Sequence, residues 1–324
     1  MKKHLQNIAL SVICFLFVVV LNFALPRLLP GDPIAYLTGM DEEGLSAEQY
    51  EFYRRELHLD ENVFSQFGYY LEDIFDGSLG YSFKKQATVS DLISSRVSAT
   101  MQISLLATVL SCGLALVWGL ASGAKRGLLD KISTPLNVLT NTFPTFLIGI
   151  CLMIFLCFDA RIFPYMGLNS DGVTAGTTEY FFDRLYHLFL PVLTLVIAMT
   201  PSRYLLMRNS AQSAMKEKYV LFAMQRGLSP RKIRYGYILP NVVQPYVAMT
   251  GITVGASVGG SVIIENLFSI KGMGTLLTEA ANSLDYPLMQ GVLFVTASVA
   301  LAAIIVTDVI CIVIDPKIRT EGKR

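Results

Sequence analysis

The chain has 324 residues, of which 53% are hydrophobic and only 16% charged, with a formal net charge of +1 and a mean hydropathy of +0.50. That excludes a soluble protein of two or three domains, the class this length would otherwise suggest. The charge is gathered into polar stretches between long uncharged ones, so its distribution, and not its sum, marks a polytopic membrane protein.

The chain opens Met1-Lys2-Lys3 and runs apolar from about Ile8 to Leu25. A secretory signal peptide starts the same way, but this run reaches the roughly 18 residues that span a bilayer. The following Pro26-Arg27-Leu28-Leu29-Pro30 offers no small-x-small cleavage site, so residues 1–25 are expected to be an uncleaved first transmembrane helix. Residues 26–98 turn polar and acidic while keeping Leu, Phe and Tyr throughout, which predicts an ordered extramembrane segment. Within it, Ser46 to Leu57 has a capping-type start and helical spacing, and Gly77 to Ser82 reads as a turn.

Five more apolar runs follow at about Ala99–Ala121, Leu136–Phe158, Leu188–Leu206, Pro245–Ile264 and Gln290–Ile314, giving an all-α integral membrane protein of six transmembrane helices. Pro144 falls in the third span and Pro191 and Pro201 in the fourth, kinks that neighbouring helices can accommodate. Gly251, Gly255 and Gly259 recur at four-residue spacing on the fifth, a small-residue face for close helix packing or for a moving seam at a subunit interface. The five cysteines all fall inside apolar runs in no metal-ligand spacing, as buried small hydrophobes would.

Six spans place both termini on one side. Lys2, Lys3, Lys125, Arg126, Lys131 and the tail residues Lys317, Arg319, Lys323 and Arg324 share that side with the segment Arg208–Pro240, which holds seven Lys/Arg against the single acid Glu217. The alternate loops are acidic or balanced, so the basic side is the cytoplasmic one. The expected organisation is residues 26–98 outside, a five-helix core over 99–314 with a cytoplasmic segment at 208–244, and a cytoplasmic tail at 315–324.

The stretch Tyr219–Pro240 has its own grammar. Tyr219 to Arg226 suits a helix, Gly227 a left-handed stop, Ser229 an N-cap and Pro230 the first position of a second helix. The product is a bent helix pair closed by Pro240, carrying Arg226, Arg231, Lys232 and Arg234, with Leu228 as an exposed apolar contact. The basic cluster serves either a docking surface or simple topology.

Ala223, Gly227, Leu239 and Pro240 have the spacing of the EAA signature of ABC-importer permeases, although Leu221 and Phe222 stand where that motif has Glu and Ala. Arg27 to Pro33, Gly77 to Ser82, His187 to Pro191, Glu265 to Ser269 with Gly272-Met273-Gly274, Asp285-Tyr286-Pro287 and Asp315 to Arg319 extend the likeness over nearly the whole chain, with Ser78 at a position the branch usually gives to Asp. Together they resemble the first of two permease subunits of a dipeptide, oligopeptide or nickel ABC importer. The resemblance implies the type I importer permease fold in a bacterial or archaeal inner membrane. Implied partners are a second permease, two ATPase subunits that carry ATP and magnesium, and an extracytoplasmic substrate-binding protein. It also implies that Ala223, Arg226, Gly227, Leu228, Ser229, Pro230, Leu239 and Pro240 form the ATPase-coupling segment, and that peptides, nickel, a metal chelate or another small solute is the cargo.

Polar side chains at membrane depth are candidates for the translocation path: Asn141 and Thr145 around Pro144, and Thr253, Ser257 and Ser261 on the fifth span. Glu265 to Gly274 and Asp285-Tyr286-Pro287 would form a cap on the outer side between the last two spans. No phosphate-cradling G-x-x-x-x-G-K-[ST] and no H-E-x-x-H occurs, so the chain itself is expected neither to hydrolyse ATP nor to bind a metal or cofactor. Asp308 is the one acid well inside an apolar run, either a structural residue or the catalytic acid of an intramembrane hydrolase. A stand-alone channel or secondary carrier is a third reading, weakened by the lack of repeated broken-helix pairs. Arg203 is expected to snorkel towards the cytoplasm and His187 to pack at the interface.

Overall fold

A computed structural model describes residues 2–28, 34, 46–56, 58–125, 127–260 and 262–314, with side-chain surroundings for all of these except 2–9, 25–26, 56, 252–260, 312 and 314. The Leu29–Pro33 motif, Arg126, Ser261 and the whole 315–324 tail lie outside the described residues.

Local chemistry sets the element ends. Helix α1 (Lys2–Leu28) carries the first apolar run. Helix α2 (Ala47–Glu56) starts at a reciprocal cap in which Ser46 Oγ accepts from the Gln49 amide at 3.2 Å and Gln49 returns the bond to the Ser46 amide at 2.9 Å. In α3 (Val63–Asp76) Asn62 caps the first turn, and Gly77 ends the last with a left-handed φ of +78°. A two-residue antiparallel pairing of β1 (Tyr81–Ser82) with β2 (Ala87–Thr88) follows, and Thr88 caps the next helix.

Helices α4 (Val89–Ala124) and α7 (Thr178–Ala214) form the central pair and run in the same direction, since Gln102 meets Arg184 near their starts and Gly119 meets Tyr204 and Met207 near their ends. They touch backbone to backbone. A Cβ added at Gly119 would lie 2.8 Å from the Tyr204 carbonyl oxygen, and one at Gly123 would overlap that of Arg208.

Between them the third apolar run breaks. Helices α5 (Leu128–Thr142) and α6 (Thr145–Met153, continued by a π-helical turn to Asp159) meet at 97° instead of forming one kinked span. Pro144 bars Phe143 from the helical region, so both residues are extended and the chain turns a corner. Among the described residues three helices are long and apolar enough to cross a membrane: Val89–Ala124, Thr178–Ala214 and Tyr286–Cys311. The bent pair makes a fourth if it crosses as one span.

Beyond α7 come α8 (Lys218–Gln225), the short α9 (Pro230–Ile233) and a π-helical turn Arg234–Ile238 that runs directly into α10 (Leu239–Gly260). Pro240 therefore does not close the helix pair. A proline ring clashes with the carbonyl four residues back, here Gly236, and the widened π turn takes up that misfit, so the helix passes through. Two short helices follow, α11 (Val262–Leu267) and α12 (Met273–Asn282), and α13 (Tyr286–Ile314) ends the described chain.

Helix α13 lies antiparallel to both α1 and α10. Asn22 and Gln290 exchange side-chain-to-carbonyl hydrogen bonds of 2.8 and 2.6 Å, and a Cβ on Gly251 would overlap Thr307. The surroundings of Gly255 and Gly259 lie outside the described residues. Cys157 and Cys311 are buried, whereas Cys14 and Cys151 lie on outward helix faces, where apolar surroundings would have to come from lipid or another chain.

Candidate functional site

The stretch 214–240 forms a knob at the end of the α4–α7 pair. Its elbow is a complete helix stop: the Gly227 amide donates to Met224 O at 2.9 Å and the Leu228 amide to Ala223 O at 3.3 Å, with Gly227 at φ +71°. This geometry turns Leu228 against the buried cluster that holds Ala223 and Ile233, where it is half-buried, so the expectation that it is an exposed contact is corrected. Ser229 then caps α9 by accepting from the Lys232 amide at 3.4 Å, with Pro230 at the first helical position.

The knob is rigid because its base is buried. Val220, Ala223, Ile233 and Ile238 pack against Leu120 of α4 and Met207, Ala211 and Ala214 of α7. Leu239 is half-buried behind them and Pro240 is exposed. The outward face carries Leu221, Phe222 and Met224, with Phe222 62% exposed, beside Tyr219 and Tyr235. Arg226, Arg231 and Lys232 of the same knob are exposed as well. The two positions that depart from the EAA signature, Leu221 and Phe222, are thus both presented outward.

A polar network ties the last turns of α7, from which the knob emerges, to α5. Arg208, six residues before the end of α7, donates from Nε and Nη2 to the two carboxylate oxygens of Asp130 at 2.7 and 2.9 Å. Asp130 is only 7% exposed and also accepts from Thr134 at 3.0 Å, which in turn lies 3.3 Å from the Tyr204 hydroxyl. Trp118 of α4 donates to Ser133 of α5 at 2.8 Å. Three helices are thereby joined within one turn of one another.

The opposite end of the bundle is held by Glu265. Its buried carboxylate accepts from the Gly274 and Thr275 amides at 2.7 and 3.1 Å and from Thr100 Oγ1 at 2.6 Å. Thr100 accepts from the Met273 amide at 2.8 Å, so a helix start that needs acceptors finds them on α4 and α11. Nearby, Asp285 accepts from Ser82 Oγ at 2.5 Å and from the Leu288 amide, and Glu279 pairs with Lys85 at 2.7 Å and Arg96 at 3.7 Å. These contacts fasten the β1–β2 hairpin and α4 to α12 and α13. A cavity of about 530 Å³ opens beside them, lined by Arg27, Phe52, Tyr70, Asp73, Tyr81 and Phe83 among others.

A model of the binding-protein-dependent transport system inner membrane component family matches residues 115–320. The chain belongs to that family. It is 26% identical to the dipeptide transport system permease protein DppB of Escherichia coli strain K12 over 97% of this chain and 98% of that protein. It is 28% identical to the probable peptide ABC transporter permease protein y4tP of Sinorhizobium fredii over 98% of each. It is 30% identical to the nickel import system permease protein NikB of Staphylococcus aureus strain MRSA252 over 99% of this chain and 92% of that one. The protein is therefore the permease component of an ABC importer and not an enzyme, and the intramembrane-hydrolase reading of Asp308 is set aside.

One polar residue of the permease lies elsewhere than its sequence suggests. Arg203 does not snorkel: it is 2% exposed and donates to Ser111 Oγ of α4 at 2.8 Å, because the face of α7 it occupies is covered by α4. His187 is buried, with Nδ1 within 3.2 Å of Met166 O and Nε2 3.2 Å from Ser170 Oγ. Asn141 and Thr145 flank the right-angled break, exposed and half-buried respectively. The side chains of Thr253 and Ser257, and all of Ser261, lie outside the described residues. Asp308 is half-buried on α13. Asp130 and Arg208, the ion pair behind the knob, carry no sequence signal beyond an acid at the head of an apolar run, because their 78-residue separation hides them.

Proposed function

We propose that this subunit lines half of a translocation path for di- and oligopeptides handed over by an extracytoplasmic binding protein. In this reading the knob at 214–240 is the surface through which an ATPase drives it. The observation that carries the reading is an outward apolar face, Leu221, Phe222 and Met224, held on a buried base. In water such a face is costly, and a cleft in a partner would bury it. The exposed Arg226, Arg231 and Lys232 of the same knob would set orientation and register more than affinity.

The proposed topology has six spans, with α5–α6 crossing as one broken span, both termini and the knob in the cytoplasm, and residues 26–98 outside a bacterial or archaeal inner membrane. A second permease supplies the other half of the path, and two ATPases bind ATP and magnesium. ATP-driven closure of the ATPases would move the knobs and swing the helices about the path. Nickel or a metal chelate is the second reading of the cargo, supported by likeness to a nickel import permease.

The test is uptake by the reconstituted complex of both permeases, both ATPases and the binding protein. Phe222→Asp is expected to abolish peptide uptake and its coupling to ATP hydrolysis while the two permeases still assemble. Normal uptake by that variant would refute the coupling role. Competition between dipeptides and nickel in the parent complex identifies the cargo.

A further inference from the structure

Helix α3 has more apolar surface than the protein covers. One side, with Gln66, Phe67 and Tyr70, packs on the end of α1: the Phe23 ring meets Phe67 at 5.0 Å and Tyr70 at 5.6 Å, and Arg27 Nε donates to Gln66 Oε1 at 2.9 Å. The polar side carries Ser65, Glu72, Asp73 and Asp76. Between the two lies a row at helical i, i+4, i+7 and i+11 positions, Phe64, Gly68, Leu71 and Phe75. Its two phenylalanines are 89% and 85% exposed, and no other aromatic ring of the described residues meets them.

The position of this row indicates what covers it. Helix α1 presents Leu10, Ile13, Leu16, Phe17, Val20 and Leu21 outward, the face of a span turned to lipid. Beyond that face comes Arg27, whose guanidinium lies 3.8 Å over the Phe23 ring, an arrangement suited to the edge of the hydrocarbon, followed by an exposed Leu28. Helix α3 is fixed to these last turns of α1, so it sits at the depth where the lipid-facing surface of α1 meets headgroups. Its acidic side leaves apolar insertion, and not attraction to anionic lipid, as the binding term.

We propose that α3 is an interfacial helix that lies on the outer leaflet and inserts Phe64 and Phe75 among the lipid acyl chains next to α1. It would anchor the extracytoplasmic segment to the bilayer and fix the height of the β1–β2 hairpin above it. The proposal rests on the topology given under the proposed function.

Tryptophan scanning of the complete complex in phosphatidylcholine vesicles tests it, with the parent complex, which holds Trp118 and the partners' tryptophans, measured under each quencher and subtracted. Phe64→Trp and Phe75→Trp are expected to lose roughly half of their added emission to lipids brominated near the headgroup, and little to lipids brominated at the chain end or to aqueous iodide, as an insertion depth of about 5–10 Å requires. Glu72→Trp on the polar side should show the reverse: quenching by iodide and none by bromine. Quenching of the two phenylalanine positions by iodide would overturn the proposal, and so would their protection from both quenchers, which would mean that a protein partner covers the row. Labelling of a Glu72→Cys variant by an impermeant thiol reagent in intact cells checks the topology separately. Labelling only after the membrane is opened would reject that topology, whatever bromine shows.

Discussion

Arg208 grips Asp130 through two nearly parallel hydrogen bonds of 2.7 and 2.9 Å, and so joins the last turns of α7 to the first turn of α5 behind the knob. Asp130 is almost wholly buried, and Thr134 also donates to its carboxylate. Arg208→Ala should cost about 3 kcal/mol or more, because it strands a buried carboxylate instead of merely deleting a contact. Arg208→Lys should restore only part of this, since an ammonium cannot make the paired bond. Thermal unfolding of the purified permease checks the order, and equal stability of all three proteins would remove the pair from any role in holding the knob.

Two glycines should behave oppositely. At Gly227 an added Cβ meets nothing within 4 Å, and the only obstacle is the left-handed φ of +71°. Gly227→Ala should therefore cost about 1 kcal/mol, felt at the elbow and not across the fold. At Gly123 a Cβ would overlap the Arg208 carbonyl oxygen and lie 2.8 Å from Ala211 Cβ. Gly123→Ala must push α4 and α7 apart, at a cost of about 1–3 kcal/mol or more. Uptake and melting temperature measured together separate the two: the first variant should lower coupling with little change in stability, the second should lower stability foremost.

How much of this was legible depends on whether the determining interaction is local. The elbow was readable residue by residue, because Gly227, Ser229 and Pro230 act on their own backbone. So were the turn at Gly77 and the cap at Ser46. Pro144 signals a kink in the third run but not a break of 97°, since proline disturbs a helix without saying where the next one points. Leu228 was misjudged because the helix stop that turns it inward is set by bonds to Met224 and Ala223 carbonyls and not by its own character. Arg203 was misjudged because hydropathy counts a charge near a span end as free to snorkel, while the covering face of α4, with Ser111, is remote in sequence. The Glu265 and Asp130 networks were hidden for the same reason.

The ties between the hairpin and α12 should respond to acid. Hydrogen bonding to the Lys85 ammonium holds the Glu279 carboxyl below its ordinary value of 4.5, with Arg96 helping. A depressed carboxylate contributes stability that is fully present above its unfolded value and is lost as pH falls through the folded one. The hairpin should therefore stay fastened at neutral pH and through mild acid, and loosen only below the usual carboxylate range. Because Glu279 and Lys85 are each more than a third exposed, the change should be local. Amide exchange at residues 81–88 followed from neutral to strongly acid pH reads it, and Glu279→Gln should flatten the profile. An unaltered profile in that variant would assign the acid response to another group.

Glu265 offers the sharpest test of what holds the far end of the bundle. Its carboxylate serves two backbone amides and one hydroxyl with almost no access to water. The glycines around it are required by the same closeness: a Cβ at Gly272 would overlap the carboxylate, and one at Gly274 would lie 2.5 Å from Val262 Cα. Glu265→Ala removes every one of those acceptors at once, at about 1–3 kcal/mol for each group left unsatisfied. Glu265→Gln keeps the shape but turns an amide NH₂ towards donors that already face inward, so it should recover little. The expected result is a loss of amide-exchange protection at Met273, Gly274 and Thr275, with α8 and α9 at the opposite end unchanged. Loss of protection spread evenly over the chain would mean that Glu265 supports the whole fold instead of this one helix start.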